Sequence, residues 1–201
     1  MALNFANNNS LSAITSLPAS ISGGGMTLIS TQTASSSSTI SFTSGIDSTY
    51  DEYVFKFYNM HPATHDVFFT FNFSIDSGSN YNVTKTTTVS RAYHVENGSS
   101  AVLEYYPQID LAQDTGFGKI AGELGNENDE SVSGYLHLFN PSSTTFVKHF
   151  MANVNQNTYH DITMNTFSAG YGNTTSSVDA VQFKMSSGNI DSGVIKLYGV
   201  S

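Results

Sequence analysis

The residues of this 201-residue chain whose types could do chemistry are six histidines, sixteen carboxylates and an abundance of serine. His61 and His65 carry the H-x-x-x-H spacing of a metal pair, which needs a helix to bring positions i and i+4 onto one face. Pro62 follows the first histidine and the segment reads as a loop, so no metal site is expected. His160-Asp161 supplies two members of a hydrolytic triad, yet no G-x-S-x-G elbow exists to present a nucleophile. Glu123, Glu127, Asp129 and Glu130 offer oxygen donors to Ca²⁺, with Asp110 and Asp114 as a second group. Neither matches an EF-hand loop, and the expected state of the run is a solvated acidic loop. A glycosidase needs two opposed carboxylates, and few lie on the strands recognised below. His94, His137 and His149 fall singly on strands, with His149 expected to share a face with Val147 and Met151 as an interior or interface histidine. No catalytic, cofactor-binding or metal-binding residues are therefore assigned, and the chain is expected to bind rather than catalyse.

Two further sets of residues invite a functional reading. N-x-S/T triplets occur at Asn8, Asn72, Asn82, Asn97 and Asn173. In a chain so rich in Asn, Ser and Thr they read as coincidence. Aromatic residues expected on outward faces, Tyr58, Phe68, Tyr135 and Phe139, suit either stacking on sugars or burial at a subunit contact, and the subunit contact is preferred.

Composition narrows the classes. Seven cations against sixteen anions give a formal charge of −9, which leaves no basic face to neutralise phosphates, so nucleic acid is not an expected partner. Cysteine is absent, removing disulfides and thiolate chemistry. No apolar run approaches the roughly 20 residues of a membrane helix. The start, MALNFANNNS, lacks the basic and apolar regions of a secretory signal, so synthesis in a cytoplasm is expected. Charged residues are only 11% of the chain. The polar surface must then come from Ser, Thr, Asn and Gly, which favour strands, turns and loops over helix.

The elements follow from period-2 alternation. Residues 1–25 stand apart as an Asn/Ser-rich arm with Leu11, Ile14 and Leu17 spaced at three, closing on the hinge Ser22-Gly23-Gly24-Gly25. It is either a loose tail or an arm that orders on a neighbouring subunit. Residues 26–201 read as one β domain. Strands are expected over 26–33 and 39–43, separated by a Ser-rich linker at 34–38, and then over 51–60. The stretch from Val67 to Ile75 alternates most strictly, with Val67, Phe69, Phe71, Phe73 and Ile75 on one face. Burying that face contributes at most about 2 kcal/mol per side chain. Further strands are expected over 81–94, 101–106, 132–139, 145–154 and 161–169, with 109–129 irregular. The chain closes on two alternating runs, Val181/Phe183/Met185 and Ile195/Leu197, around the turn-rich SSGNIDSG. They are expected to form an antiparallel pair, the last strand lying inside its sheet. Eleven short strands without βαβ alternation predict an all-β antiparallel sandwich or jelly roll.

Three stretches, Leu28–Thr64, LHLFNPSSTTFVKHF (Leu136–Phe150) and VDAVQFKMSSGNIDSGVIKLYG (Val178–Gly199), resemble a group of proteins frequent in tailed phages, many of marine bacteria. The resemblance implies a virion structural protein, a homo-oligomer made in the bacterial host cytoplasm, with a trimer the natural form at capsid junctions. The place it implies is the head shell, as a capsid decoration or cement protein bound to the major capsid protein. A tail-fibre or receptor-binding domain that holds a glycan is the alternative. The group carries no catalytic motif, and no site residue follows from it.

Overall fold

The computed structural model describes residues 25–200. Twelve strands succeed one another: β1 (Met26–Ser37), β2 (Ile40–Phe42), β3 (Glu52–Pro62), β4 (Val67–Ser74), β5 (Lys85–Val95), β6 (Ala101–Tyr105), β7 (Gly118–Leu124), β8 (Val132–Phe139), β9 (Lys148–Thr158), β10 (Ile162–Gly172), β11 (Ala180–Met185) and β12 (Ile190–Val200). They form an eight-stranded sheet, β1-β12-β3-β8-β9-β10-β5-β6, and a four-stranded sheet, β2-β11-β4-β7. Every strand pair is antiparallel. The expected all-β sandwich is thus the fold. The chain crosses between sheets at eight of its eleven connections, as in a jelly roll, with the hairpin β9–β10 inserted between β8 and β5 in the larger sheet. The N-terminal arm and Gly hinge, apart from Gly25, lie outside the described residues.

The strand alternation becomes the core. Phe69, Phe71 and Phe73 of β4 face Tyr53, Phe55 and Phe57 of β3 and Leu136 and Leu138 of β8, all essentially without solvent exposure. Phe183 sits at the centre, its ring centroid 5.2 Å from Phe55 and Phe57, 5.8 Å from Phe69 and 6.3 Å from Phe42. Edge-to-face rings at such distances add to the apolar transfer free energy. Phe71 and Phe73 pack on Phe150 of β9, tying the inserted hairpin into the same core.

Four expectations change. The closing pair β11 and β12 is not a hairpin. Ser186 to Asn189 carry the chain across the sandwich, so β11 lies between β2 and β4 and β12 between β1 and β3. Both runs need apolar partners on one face, and separate sheets provide this as well as a shared one would. The Ser-rich linker at 34–38 is strand through Ser37, because β12 supplies its backbone partners. The segment at 81–84 is loop, and β5 begins only at Lys85. Within the supposedly irregular 109–129 lies β7, whose glycines hide its alternation. A Cβ on Gly118 would stand 2.8 Å from the Phe71 ring, and one on Gly122 2.8 Å from Phe68. Close backbone approach to these rings explains both glycines.

The outward side of the smaller sheet is itself covered over much of β4, where Thr70, Asn72 and Ser74 are buried. Asn72, fully buried, donates from Nδ2 to the carbonyls of Tyr81 (2.7 Å) and Thr115 (2.9 Å). Its Oδ1 accepts from Lys85 Nζ, which also donates to the Val83 carbonyl at 2.8 Å. This polar clamp holds two loops against the sheet and satisfies groups whose unpaired burial would cost about 1–3 kcal/mol each.

Candidate functional site: the outward face of the larger sheet

The outward face of the eight-stranded sheet leaves Tyr58, Tyr135 and Met151 exposed, with Val54 buried among its neighbours, and the strand register lays out its side chains. Lys196 of β12 pairs with Lys56 of β3, Lys56 with Tyr135 of β8, Tyr135 with Asn153 of β9, and Asn153 with Phe167 of β10. The next row reads Tyr198, Val54, His137, Met151 and Ala169. A third row carries Val194 and Tyr58, and farther along it Ser133, Asn155 and Asn165 are paired.

Two depressions mark this face. One of about 180 Å³ is lined by Tyr135, His137, Phe139, Met151, Ala152 and Phe167 and is almost wholly apolar. Another of about 250 Å³ is lined by Ala92, Tyr93, His94, Asn155, Thr163 and Asn165. Asn165 Nδ2 donates to Asn153 Oδ1 at 2.6 Å, which fixes the amide lying between Tyr135 and Phe167. His137 Nδ1 donates to Glu52 Oε1, so the carboxylate one row farther along this face, opposite Phe139, is engaged. Lys56 Nζ lies 5.3 Å from the Tyr198 ring centroid and Lys196 Nζ 5.5 Å from that of Tyr58. Burial, followed by the neighbouring Tyr198 phenol, pushes the Tyr58 hydroxyl above its ordinary pKa.

The structure separates the residues singled out by sequence. Tyr58, Tyr135 and Phe139 share this face. Phe68 does not, being half-buried on the smaller sheet beneath Lys119 Nζ at 4.5 Å. His149 shares the outward face with Met151 but is exposed rather than interior, while Val147 precedes the strand. His94 lines the second depression. His61 faces Asp191 at 3.5 Å and the Glu127 carbonyl at 3.0 Å, in a polar cleft of about 350 Å³ with Asp129. His65 instead packs in a tilted arrangement on Tyr159 with ring centroids 4.5 Å apart, and His160 packs, also tilted, on the same tyrosine at 3.9 Å. Asp161 turns the chain between β9 and β10 at φ +55°. Among the described residues no group of three or more His, Asp or Glu is placed to hold a metal ion.

The acidic run is a solvated loop only in part: Glu127 and Asp129 are exposed as expected, whereas Glu123 and Glu130 are engaged. Glu123 accepts from Arg91 at 2.7 Å and from the Tyr106 hydroxyl at 3.1 Å, while Arg91 also pairs with Glu104. Burial, then the Glu123 charge, pushes Tyr106 up to about 12. Glu130 is buried, its carboxylate accepting the Glu127 amide at 2.7 Å. Asp110 accepts from the Tyr105 hydroxyl. Asp114 takes the Gly116 amide at 2.6 Å. Of the N-x-S/T positions, Asn8 lies outside the described residues and Asn72 is walled in. Asn82, Asn97 and Asn173 are exposed.

Asn153, Met151, Phe167 and the Lys56–Lys196 pair were not identified from sequence as one surface. Alternation places each outward on its own strand, but only the pairing of β12, β3, β8, β9 and β10 brings them together. No protein-family model, curated protein or solved structure matches this chain.

Proposed function

We propose that this chain is a structural protein of a tailed-phage virion that works by binding, not by catalysis. Its favoured place is the head shell, as a capsid decoration or cement subunit. The observation that carries the reading is the outward face of the larger sheet, a broad, open surface of aromatic and amide side chains on a rigid sandwich. Exposed aromatic surface of this kind serves recognition. The resemblance of Leu28–Thr64 and the two later stretches to tailed-phage proteins supplies the setting. Its partners on this reading are further copies of itself and the major capsid protein.

Quantitative mass spectrometry of purified virions tests it. Hundreds of copies per particle are expected, and none would overturn the reading. Deleting residues 1–25, which precede β1, is expected to leave a folded sandwich that no longer attaches to particles. Normal attachment of the truncated chain would remove the arm from the assembly role.

A second reading, a tail receptor-binding domain holding a glycan, is favoured by one observation. The Tyr135–Asn153–Phe167 row alternates ring, amide and ring, which suits a sugar's apolar face and its hydroxyls. A copy number of a handful to a few dozen would favour this place over the head.

A further inference from the structure

The seven cations of this acidic chain are placed unevenly. Lys85 and Lys148 are buried, and Arg91 is held by two carboxylates. Lys119 and Lys184 lie on the smaller sheet, on either side of Thr70. Lys56 and Lys196 alone stand directly opposite one another on neighbouring strands. Like charges in that position destabilise a sheet pair. Sixteen carboxylates are available in the chain, yet among the described residues none forms an ion pair with either lysine. The lysines rest on tyrosine rings instead, a contact that leaves the ammonium protons free to meet an anion. Glu52, the carboxylate nearest in the grid, is taken by His137.

The same row continues into Tyr135, Asn153 and Phe167, beside the apolar depression. Tyr135 and Phe167 stand two strand spacings apart, about 10 Å, a span that suits two sugar rings separated by one intervening sugar. Paired ammonium groups beside a ring–amide–ring row form a composite surface, with charge at one end and stacking at the other.

We propose that this face binds an anionic saccharide, a chain bearing carboxylated sugars. A carboxylate meets Lys56 and Lys196, sugar rings stack on Tyr135 and Phe167, and hydroxyl groups bond Asn153. Charge complementarity selects this occupant. A neutral glycan makes no use of two opposed lysines, and another acidic copy of the chain would have to bring its own carboxylates onto them. The inference rests on the reading of this face as a saccharide platform, and it adds the class of saccharide.

The experiment is isothermal titration of the full chain with oligogalacturonate and, in parallel, with a neutral oligogalactose of equal length. Oligogalacturonate is expected to bind, the neutral chain at least about tenfold more weakly, and rising salt should weaken the former selectively. Lys56→Met with Lys196→Met should lower oligogalacturonate affinity about tenfold or more, and Lys56→Arg with Lys196→Arg should keep most of it. Tyr135→Ala should weaken both ligands. All three positions face outward, and an unchanged melting temperature shows that each variant is folded. Equal binding of both oligosaccharides overturns the charge assignment and leaves the saccharide platform standing. Binding of neither overturns both. Loss of an oligomer on Lys56→Met with Lys196→Met, seen by light scattering, makes the patch a contact between copies and also overturns the proposal.

Discussion

Lys85 offers a test of how this sandwich tolerates a charge in its interior. Its side chain has no solvent exposure, and burial lowers its pKa from 10.5 to about 7 against the opposing pull of Asp114. At about 1.4 kcal/mol per pH unit, that displacement corresponds to roughly 5 kcal/mol between the charged and neutral forms. The sign follows from proton counting. Between pH 7 and 10.5 the unfolded chain holds a proton at this lysine that the folded chain releases, so stability rises with pH across that window. Below pH 7 both states are protonated and the penalty is present in full. Working the linkage from pH 7.5 to 9.5, this one group stabilises the fold by about 2.5 kcal/mol. Lys85→Met keeps most of the buried volume but cannot titrate. It also leaves the Val83 carbonyl without its Nζ partner, a cost of about 1–3 kcal/mol that does not vary with pH. The assay is urea unfolding of both proteins at pH 7.5 and 9.5. The wild-type minus Lys85→Met difference should shift by about 2.5 kcal/mol in favour of wild type at the higher pH, since every other titrating group is common to both. A difference constant to within about 0.5 kcal/mol would refute the reasoning. It would mean that Asn72, Val83 and Asp114 fully compensate a charged Lys85.

Two further perturbations probe the scaffold. Phe71→Ala, which empties a site ringed by Phe73 and Phe150, should cost about 3–5 kcal/mol in denaturant titrations, and Phe71→Asp should abolish the cooperative transition. Both should far exceed the effect of Phe146→Ala at a residue 68% exposed. Gly188→Ala places a side chain at φ +68°, with the new Cβ 2.0 Å from Thr64 Oγ1. It should lower stability by about 1 kcal/mol or more, measurable as a reduced urea midpoint at unchanged slope. No loss would show that the β11–β12 crossover is not tied to Thr64.

The fold class was legible because alternation is a local property. Val67 to Ser74 and Val132 to Phe139 show their inward and outward faces residue by residue, and a buried face on each strand with almost no helical segments leaves only layered sheets. The missing cysteine was equally available, and with it the absence of thiol chemistry. Other features depended on contacts distant in sequence. Nothing in SSGNIDSG distinguishes a hairpin from a crossover, because either connection buries Phe183 and Ile195 on apolar partners. Strand β7 was hidden because Gly118 and Gly122 answer to the rings of Phe71 and Phe68, about fifty residues away in the chain. Glu123 looked solvated because its partner Arg91 lies on another strand. The outward surface carries the largest debt to tertiary structure. Alternation turns Lys56, Lys196, Tyr135, Asn153 and Phe167 outward one strand at a time. Only the antiparallel register of five strands, set by burying the opposite face, places two lysines side by side and a ring on each flank of an amide.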